Sequence, residues 1–224
     1  ARAVVVTKLD NDNLHLSQVI ENIREILGQR VVPFTLGNET GKGFDQVMIV
    51  DQVDNEYRSH LVDAIVESDD ALMEKYLETG SISHEELEAA IPAAMAKGTF
   101  APLFCVNPVS GVGLAEFAEF LVRDFPSASM QLSVMHSENI EDGAATSRTV
   151  ARVWKVLTDK HLGQVSYLRV LQGTVNPESQ LIDPHTQRSI KANGLSMLFG
   201  KELQPISSAG PGDIVALTRI DDLE

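Results

Sequence analysis

Residues 3–10 read Ala3-Val4-Val5-Val6-Thr7-Lys8-Leu9-Asp10. A short β-branched apolar run that stops at a polar tetrapeptide predicts a buried parallel strand with a loop at its carboxyl end. A helix is expected next, because Leu16, Val19, Ile20, Ile23, Ile26 and Leu27 share one face at helical spacing. Asn13 offers a cap at its start and Gly28 a left-handed stop. Val31-Val32-Pro33-Phe34 and Met48-Ile49-Val50 read as further short strands. Helices are predicted around 55–67, 69–78 and 84–97; the capping-box pattern Ser83-His84-Glu85-Glu86 opens the last, and Pro92 is expected to kink or shorten it. Leu103-Phe104-Cys105-Val106 is a second buried strand, feeding a helix with Leu114, Phe117, Ala118, Leu121, Val122 and Phe125 on one face. Strand–helix alternation predicts an α/β unit with a parallel sheet.

From about residue 148 the texture changes. Val150 to Val156 alternate, and Val165 to Val170 place Val165, Tyr167 and Arg169 on one face and Ser166, Leu168 and Val170 on the other. Gly163, Gly173, Asn176-Pro177, Asp183-Pro184, Asn193-Gly194 and Pro211-Gly212 punctuate short strands, the pattern of a small all-β barrel or sandwich. The charge shifts at the same place: net −12 over residues 1–132, −3 over 133–147 and +1 over 148–224, of the −14 total. The reading is therefore a domain over 1–130, a polar, small-residue linker over 131–147 and an all-β domain over 148–224.

Composition narrows the class. A 43% hydrophobic chain of 224 residues can bury a normal core, and a single cysteine, Cys105, excludes an internal disulfide, as in a reducing compartment. No apolar run reaches the roughly 18 residues of a membrane span, and no signal peptide is visible. The start at Ala1-Arg2-Ala3 without Met reads as a piece of something longer. The six histidines form no His-x-x-x-His and do not pair with Cys105 at zinc spacing, so no metal site is expected. Acidic pairs such as Asp69-Asp70 and Glu85-Glu86 read as a solvated helix face or, alternatively, as a partner-facing acidic surface.

Thr7-Lys8-Leu9-Asp10 fits the Asn/Thr-Lys-x-Asp tetrapeptide that reads guanine in GTPases. It stands at the carboxyl end of a strand, where open α/β sheets bind ligands. A carboxylate there accepts from guanine N1–H and the 2-amino group, which adenine lacks, while a lysine stem covers the purine face. The bland alternative is a polar strand–helix loop. Gly37-Asn38-Glu39-Thr40-Gly41-Lys42-Gly43 is the one internal candidate for a phosphate loop, but it is one residue short, lacks the Ser/Thr that holds magnesium and follows the guanine motif. It reads as a solvated loop.

Several stretches, in order, resemble the translation elongation factor G family: Val4 to Asp10, Gly28 with Val31 to Phe34, the acidic stretch Glu67 to Glu78, Ser83 to Ala96, then Cys105, Gly113 and Phe125-Pro126-Ser127. Beyond 148, Lys155, Thr158-Asp159, Leu162-Gly163, Tyr167 to Val170, Gly173 to Asn176 and Gly212-Asp213-Ile214 resemble the second domain of that family. The resemblance implies the C-terminal half of a P-loop GTPase-type domain with a helical insertion, then a translation-factor-type β-barrel. It implies guanine binding by Thr7, Lys8 and Asp10. GTP or GDP would be the ligand of the parent protein, with Mg2+ held by segments outside this stretch.

It implies further a cytoplasmic protein whose partner is the ribosome, reached through small-subunit rRNA by the barrel, and no membrane. The parent would hydrolyse GTP in translocation; this stretch, lacking phosphate loop and switch segments and carrying no catalytic residue, is expected to be inactive. Ribosome-protection and release-factor GTPases share the layout, and an adaptor module keeping a degenerate GTPase sheet is a second class of reading. One departure matters. Where the family has Ser-Ala, with a backbone N–H toward guanine O6, this chain has Asn107-Pro108-Val109. Proline has no N–H, so Val109 or Ser110 would have to substitute.

Overall fold

The computed structural model describes residues 1–53, 56–130, 148–160, 162–184, 186–200 and 202–218. The predicted linker 131–147 lies outside them. Contacts divide the chain into two compact units, Ala1–Pro126 and Ser127–Glu224.

The first unit runs β1 (Val4–Val6), α1 (Leu16–Leu27), β2 (Val31–Pro33), β3 (Thr35–Gly37), β4 (Val47–Ile49), α2 (Glu56–Val66), α3 (Asp70–Thr79), α4 (His84–Lys97), β5 (Ala101–Cys105) and α5 (Leu114–Arg123). Three strands form a parallel sheet in the order β1-β5-β2. The central strand β5 is buried at every residue, which is why its sequence is continuously apolar rather than alternating. Phe34, Phe104, Phe117 and Phe120 meet beside it, Phe34 and Phe120 edge to face with ring centroids 4.7 Å apart. Such pairs add about 0.5–1.5 kcal/mol to the area they bury.

Several local expectations are corrected. Asn13 is not the cap of α1; it sits at φ 65° in the turn before it, and His15 occupies the cap position without a side-chain hydrogen bond. Gly28 ends α1 at φ 98° but ψ 159°, so it is extended past the helix rather than left-handed helical. Helix α4 begins with the full capping box of Ser83 and Glu86 and is not shortened at Pro92. Burial of Leu87, Ile91, Ala94 and Met95 on one side holds it across the missing hydrogen bond. On α5 the buried residue is Phe120, while Leu121 and Val122 are 43% and 89% exposed. The apolar face is therefore rotated from the one expected.

Strand β3 was not expected. It pairs antiparallel with β4, and its buried Thr35 uses Oγ1 to accept the backbone N–H of Cys105 at 3.0 Å.

The second unit is all-β: β6 (Val150–Asp159), β7 (Gly163–Gln172), β8 (Gln180–Ile182), β9 (Ser189–Lys191), β10 (Ser196–Phe199), β11 (Glu202–Pro205) and β12 (Ile214–Thr218). The antiparallel sheet runs β11-β10-β12-β7-β6, with β8-β9 as a separate hairpin. Its core is Leu168, Val170, Val175, Ala192, Leu195, Ala209, Val215 and Leu217. The α/β-then-all-β order follows the sequence expectation.

Candidate functional site

The parallel pairing of β1 with β5 puts Val6 opposite Cys105, and the Val106 N–H donates to the Val6 carbonyl at 2.9 Å. Two loops therefore leave the sheet side by side at the carboxyl end: Thr7 to Asp10 from β1 and Asn107 to Ser110 from β5. This edge is where doubly wound sheets hold ligands.

The first loop is pinned from beneath. Leu9 is fully buried, while Thr7, Lys8 and Asp10 are exposed. Lys8 takes φ 63°, a left-handed conformation uncommon for a residue with a Cβ. Its carbonyl accepts the Asn11 N–H at 3.2 Å, so the chain turns back and carries Asp10 round the anchored Leu9. Such local strain persists where surrounding packing fixes it, and it clusters at ligand sites.

The internal glycine loop is not simply solvated. Gly41 is buried and its N–H donates to the Leu9 carbonyl at 2.8 Å, while Thr40 Oγ1 donates to the Leu14 carbonyl at 2.8 Å. It is thus a brace under the guanine-type motif, with Asn38, Glu39 and Lys42 exposed to solvent. No periodic signal in the sequence announces that role; only the strand pairing brings the two segments together.

The second loop is organised by Asn107, which is 6% exposed. Its Oδ1 accepts the N–H groups of Val109 at 3.0 Å and Ser110 at 3.3 Å, and its own N–H donates to the Val112 carbonyl at 2.8 Å. The two donors named as substitutes for the missing Pro108 N–H are therefore engaged inside the loop. Val109 itself is 96% exposed. Next to the loop, Gly113 at φ 76° starts α5 against the Cys105 carbonyl.

Asp10 presents carboxylate acceptors and Lys8 an aliphatic stem, both exposed on this loop. Among the described residues no group of three His, Cys, Asp or Glu is placed to hold a metal ion. No helix among them is long and apolar enough to cross a membrane. A separate cavity of about 150 Å³ shares no residue with these loops; Phe34, Leu61 and Phe120 are among its walls, with Asp51, His84 and Arg123 at charged positions.

Residues 148–224 match the family model described as elongation factor G domain 2. Over the whole chain, proteins named elongation factor G-like protein from Mycobacterium tuberculosis, strains CDC 1551 and H37Rv, are 27% identical. The chain spans 37% of the length of these curated relatives. A crystal structure of a Thermus thermophilus protein superposes with a TM-score of 0.73 at 25% identity, over 99% of this chain and 34% of that one. These likenesses relate the chain to the translation elongation factor G family.

Proposed function

We propose that this chain, a relative of the translation elongation factor G family, carries the guanine-reading edge and the second domain of a GTP-dependent factor that acts on the ribosome in translocation. The observation that supports this best is the register of β1 against β5, which sets Thr7, Lys8 and Asp10 beside the Asn107–Ser110 loop at one sheet edge. In this reading Asp10 accepts from the guanine N1–H and 2-amino group, Lys8 lies along the base and Thr7 braces the loop. GTP supplies the phosphoryl chemistry of the whole protein, and Mg2+ is held by segments outside this stretch. The described residues provide no phosphate loop, so the 224-residue chain alone is expected to release no phosphate from GTP.

The barrel would rest on small-subunit rRNA, in the cytoplasm. A basic patch could draw on Arg152, Lys155, Lys160, Arg169, Arg188, Lys191, Lys201 and Arg219. Of these, Arg152, Lys155 and Arg169 are exposed on the neighbouring strands β6 and β7, and Lys160, Arg188 and Lys191 are exposed elsewhere in this unit. Lys201 and Arg219 lie outside the described residues.

A second reading has one observation in its favour. With Pro108 lacking an N–H, the Asn107 N–H bonded to Val112 and the Val109 and Ser110 N–H groups engaged by Asn107 Oδ1, no backbone N–H of this loop is free to hold guanine O6 without rearrangement. A factor with a weakened nucleotide grip, working as a binding module, would look like this. Nucleotide competition on the full-length protein separates the two: GDP displaced by GTP but not by ATP supports the first reading. Equal displacement by both, or no nucleotide binding, supports the second.

A further inference from the structure

We propose that the outer face of the β6–β7 hairpin is a stacking platform for an unpaired RNA base, with Trp154 as the stacking surface and Arg152 and Arg169 as phosphate contacts. The proposal rests on the ribosomal reading above and adds to it the kind of RNA recognised and the residue that recognises it.

Three features of the hairpin converge. Arg152 stands directly opposite Arg169 in the antiparallel ladder, and Arg169 in turn stands opposite Ile214. Both arginines are exposed, and among the described residues neither forms an ion pair. Like charges directly opposite one another destabilise a sheet, so folding alone gives no reason for this pair. An anion between them removes the penalty.

The second feature is a β-bulge. The register shifts between Val153 and Lys155, leaving Trp154 as the unopposed residue. Bulges re-aim side chains, and Trp154 is 56% exposed, an unusual setting for the largest apolar side chain in the sequence. Its ring lies 6.0 Å from that of Tyr167 at 51°, so one edge is supported while its surface stays accessible. Tyr167 sits opposite Lys155. Aromatic rings interleaved with cations are the elements of single-strand binding, in which a base face meets a ring and the backbone meets the charges.

The third feature is what adjoins the rings. Tyr167 is also a wall of a groove of about 610 Å³, whose other walls include Leu157 and Leu198 and whose polar positions include Asn193, Ser196 and Thr218, with the Asp159 carboxylate as its one charged group. Apolar walls with a few polar groups suit a nucleobase. A paired duplex offers only its backbone here, because its base faces are already stacked. Arg152 and Arg169 call for an anion and Trp154 for a flat ring; an unpaired nucleotide supplies both, whereas an acidic peptide segment supplies only the charge.

Trp154 is the only tryptophan of the sequence, so its emission reports directly on the platform. The full chain is titrated at low salt with an unpaired octaribonucleotide, a duplex of the same length, inorganic polyphosphate and polyglutamate. Affinity for labelled octamer is followed in parallel by anisotropy. The expected result is saturable quenching by the octamer alone. Trp154→Ala should weaken octamer binding about tenfold, with Trp154→Phe recovering most of it. Arg152→Glu with Arg169→Glu should reduce the salt slope by about 0.7 per lost contact.

Binding of duplex or polyphosphate as tight as octamer binding, without quenching, overturns base stacking. Quenching by polyglutamate overturns the RNA assignment in favour of a protein segment. Full affinity in Trp154→Ala, with unchanged circular dichroism, overturns the role of Trp154. If the octamer does not bind while the full-length protein still co-sediments with ribosomes, this proposal falls and the ribosomal reading survives; loss of both sinks both.

Discussion

The carboxamide oxygen of Asn107 accepts the backbone N–H of Val109 at 3.0 Å. The same oxygen takes the Ser110 N–H, so a single nearly buried side chain fixes the loop from Asn107 to Ser110. Asn107→Ala leaves two partly buried donors without their acceptor, and each such loss costs about 1–3 kcal/mol. Water reaches the exposed side of the loop, so the lower end applies. The expected outcome is a loss of about 1–2 kcal/mol in urea unfolding of the first unit. Asp at this position keeps the acceptor and should lose less. An unchanged midpoint in Asn107→Ala would show that the loop is held by its flanking strand and helix alone.

Gly113 tests the same region from the other side. At φ 76°, a Cβ there would stand 2.1 Å from the Cys105 carbonyl oxygen, a backbone atom at the end of the central strand. The left-handed conformation alone costs an L-residue about 1–2 kcal/mol, and the clash must be relieved by moving β5 or α5. Gly113→Ala should therefore destabilise by about 3 kcal/mol or more and lower the yield of folded protein. Gly111→Ala, also at positive φ but with nothing within 4 Å of its Cβ, is the control and should cost only the conformational part.

Cys105 is fully buried in β5, and burial pushes its thiol up to about 11. The thiolate is the reactive form, so iodoacetamide at pH 8 should label the native chain at least tenfold more slowly than the urea-unfolded chain. Equal rates would mean that β5 opens readily.

What the sequence made legible was periodic. The parallel strands, the three insertion helices and the Ser83 capping box announce themselves through runs of apolar residues at fixed spacing and through side chains that bond their own neighbours. What it concealed was non-local. Strand β3 is only three residues long and ends in Gly37, a poor strand former, and it exists because β4 pairs with it and the Cys105 N–H uses the Thr35 hydroxyl. The brace from Gly41 to Leu9 spans 32 positions, and no local pattern encodes it. The apolar face of α5 was misplaced because Leu121 and Val122 are apolar yet exposed, so hydrophobicity alone pointed the wrong way. At the candidate site, motif spelling pointed to Thr7, Lys8 and Asp10. The engagement of Val109 and Ser110 depends on a side chain, Asn107, whose role is a matter of geometry.

Asp10 offers only acceptors to a base. Asp10→Asn replaces one of them with an N–H donor, which opposes the guanine 2-amino group and complements an oxygen at the same ring position, as in xanthine. In the full-length protein the variant should bind GDP about tenfold or more weakly, since a buried donor left facing a donor costs about 1–3 kcal/mol. It should bind xanthosine diphosphate better than the parent does. The check is displacement of a fluorescent nucleotide by each diphosphate. Unchanged GDP affinity would remove Asp10 from the site.

His84 supplies a pH-dependent tie between segments far apart in the first unit. It is the first residue of α4. Its Nδ1 is hydrogen-bonded to Asp51 Oδ2, and its Nε2 lies 3.4 Å from Glu88 Oε1. Asp51 is itself 5% exposed and also lies 3.3 Å from Arg58 Nε, while Glu88 is held at 3.0 Å by Arg123 of α5. The hydrogen bond to Asp51 is the main reason the imidazole is held above its ordinary value; burial opposes it as the next-largest effect, and the charges of Glu88, Asp51 and Glu85 each add a lesser push upward. The positive end of α4 also opposes protonation, so the carboxylates prevail over it. A histidine whose folded value is raised binds its proton more tightly in the folded chain. Its contribution is thus complete below the unfolded value of about 6.5 and disappears as pH rises through the higher folded value. The ring is 44% exposed, so screening keeps the effect small. The melting-temperature gap between the parent and His84→Gln should be widest near pH 5.5 and close towards pH 8.5, and Asp51→Asn should flatten the parent's own dependence over that range. A gap that is constant across these pH values would mean that His84 acts through packing and not through its charge.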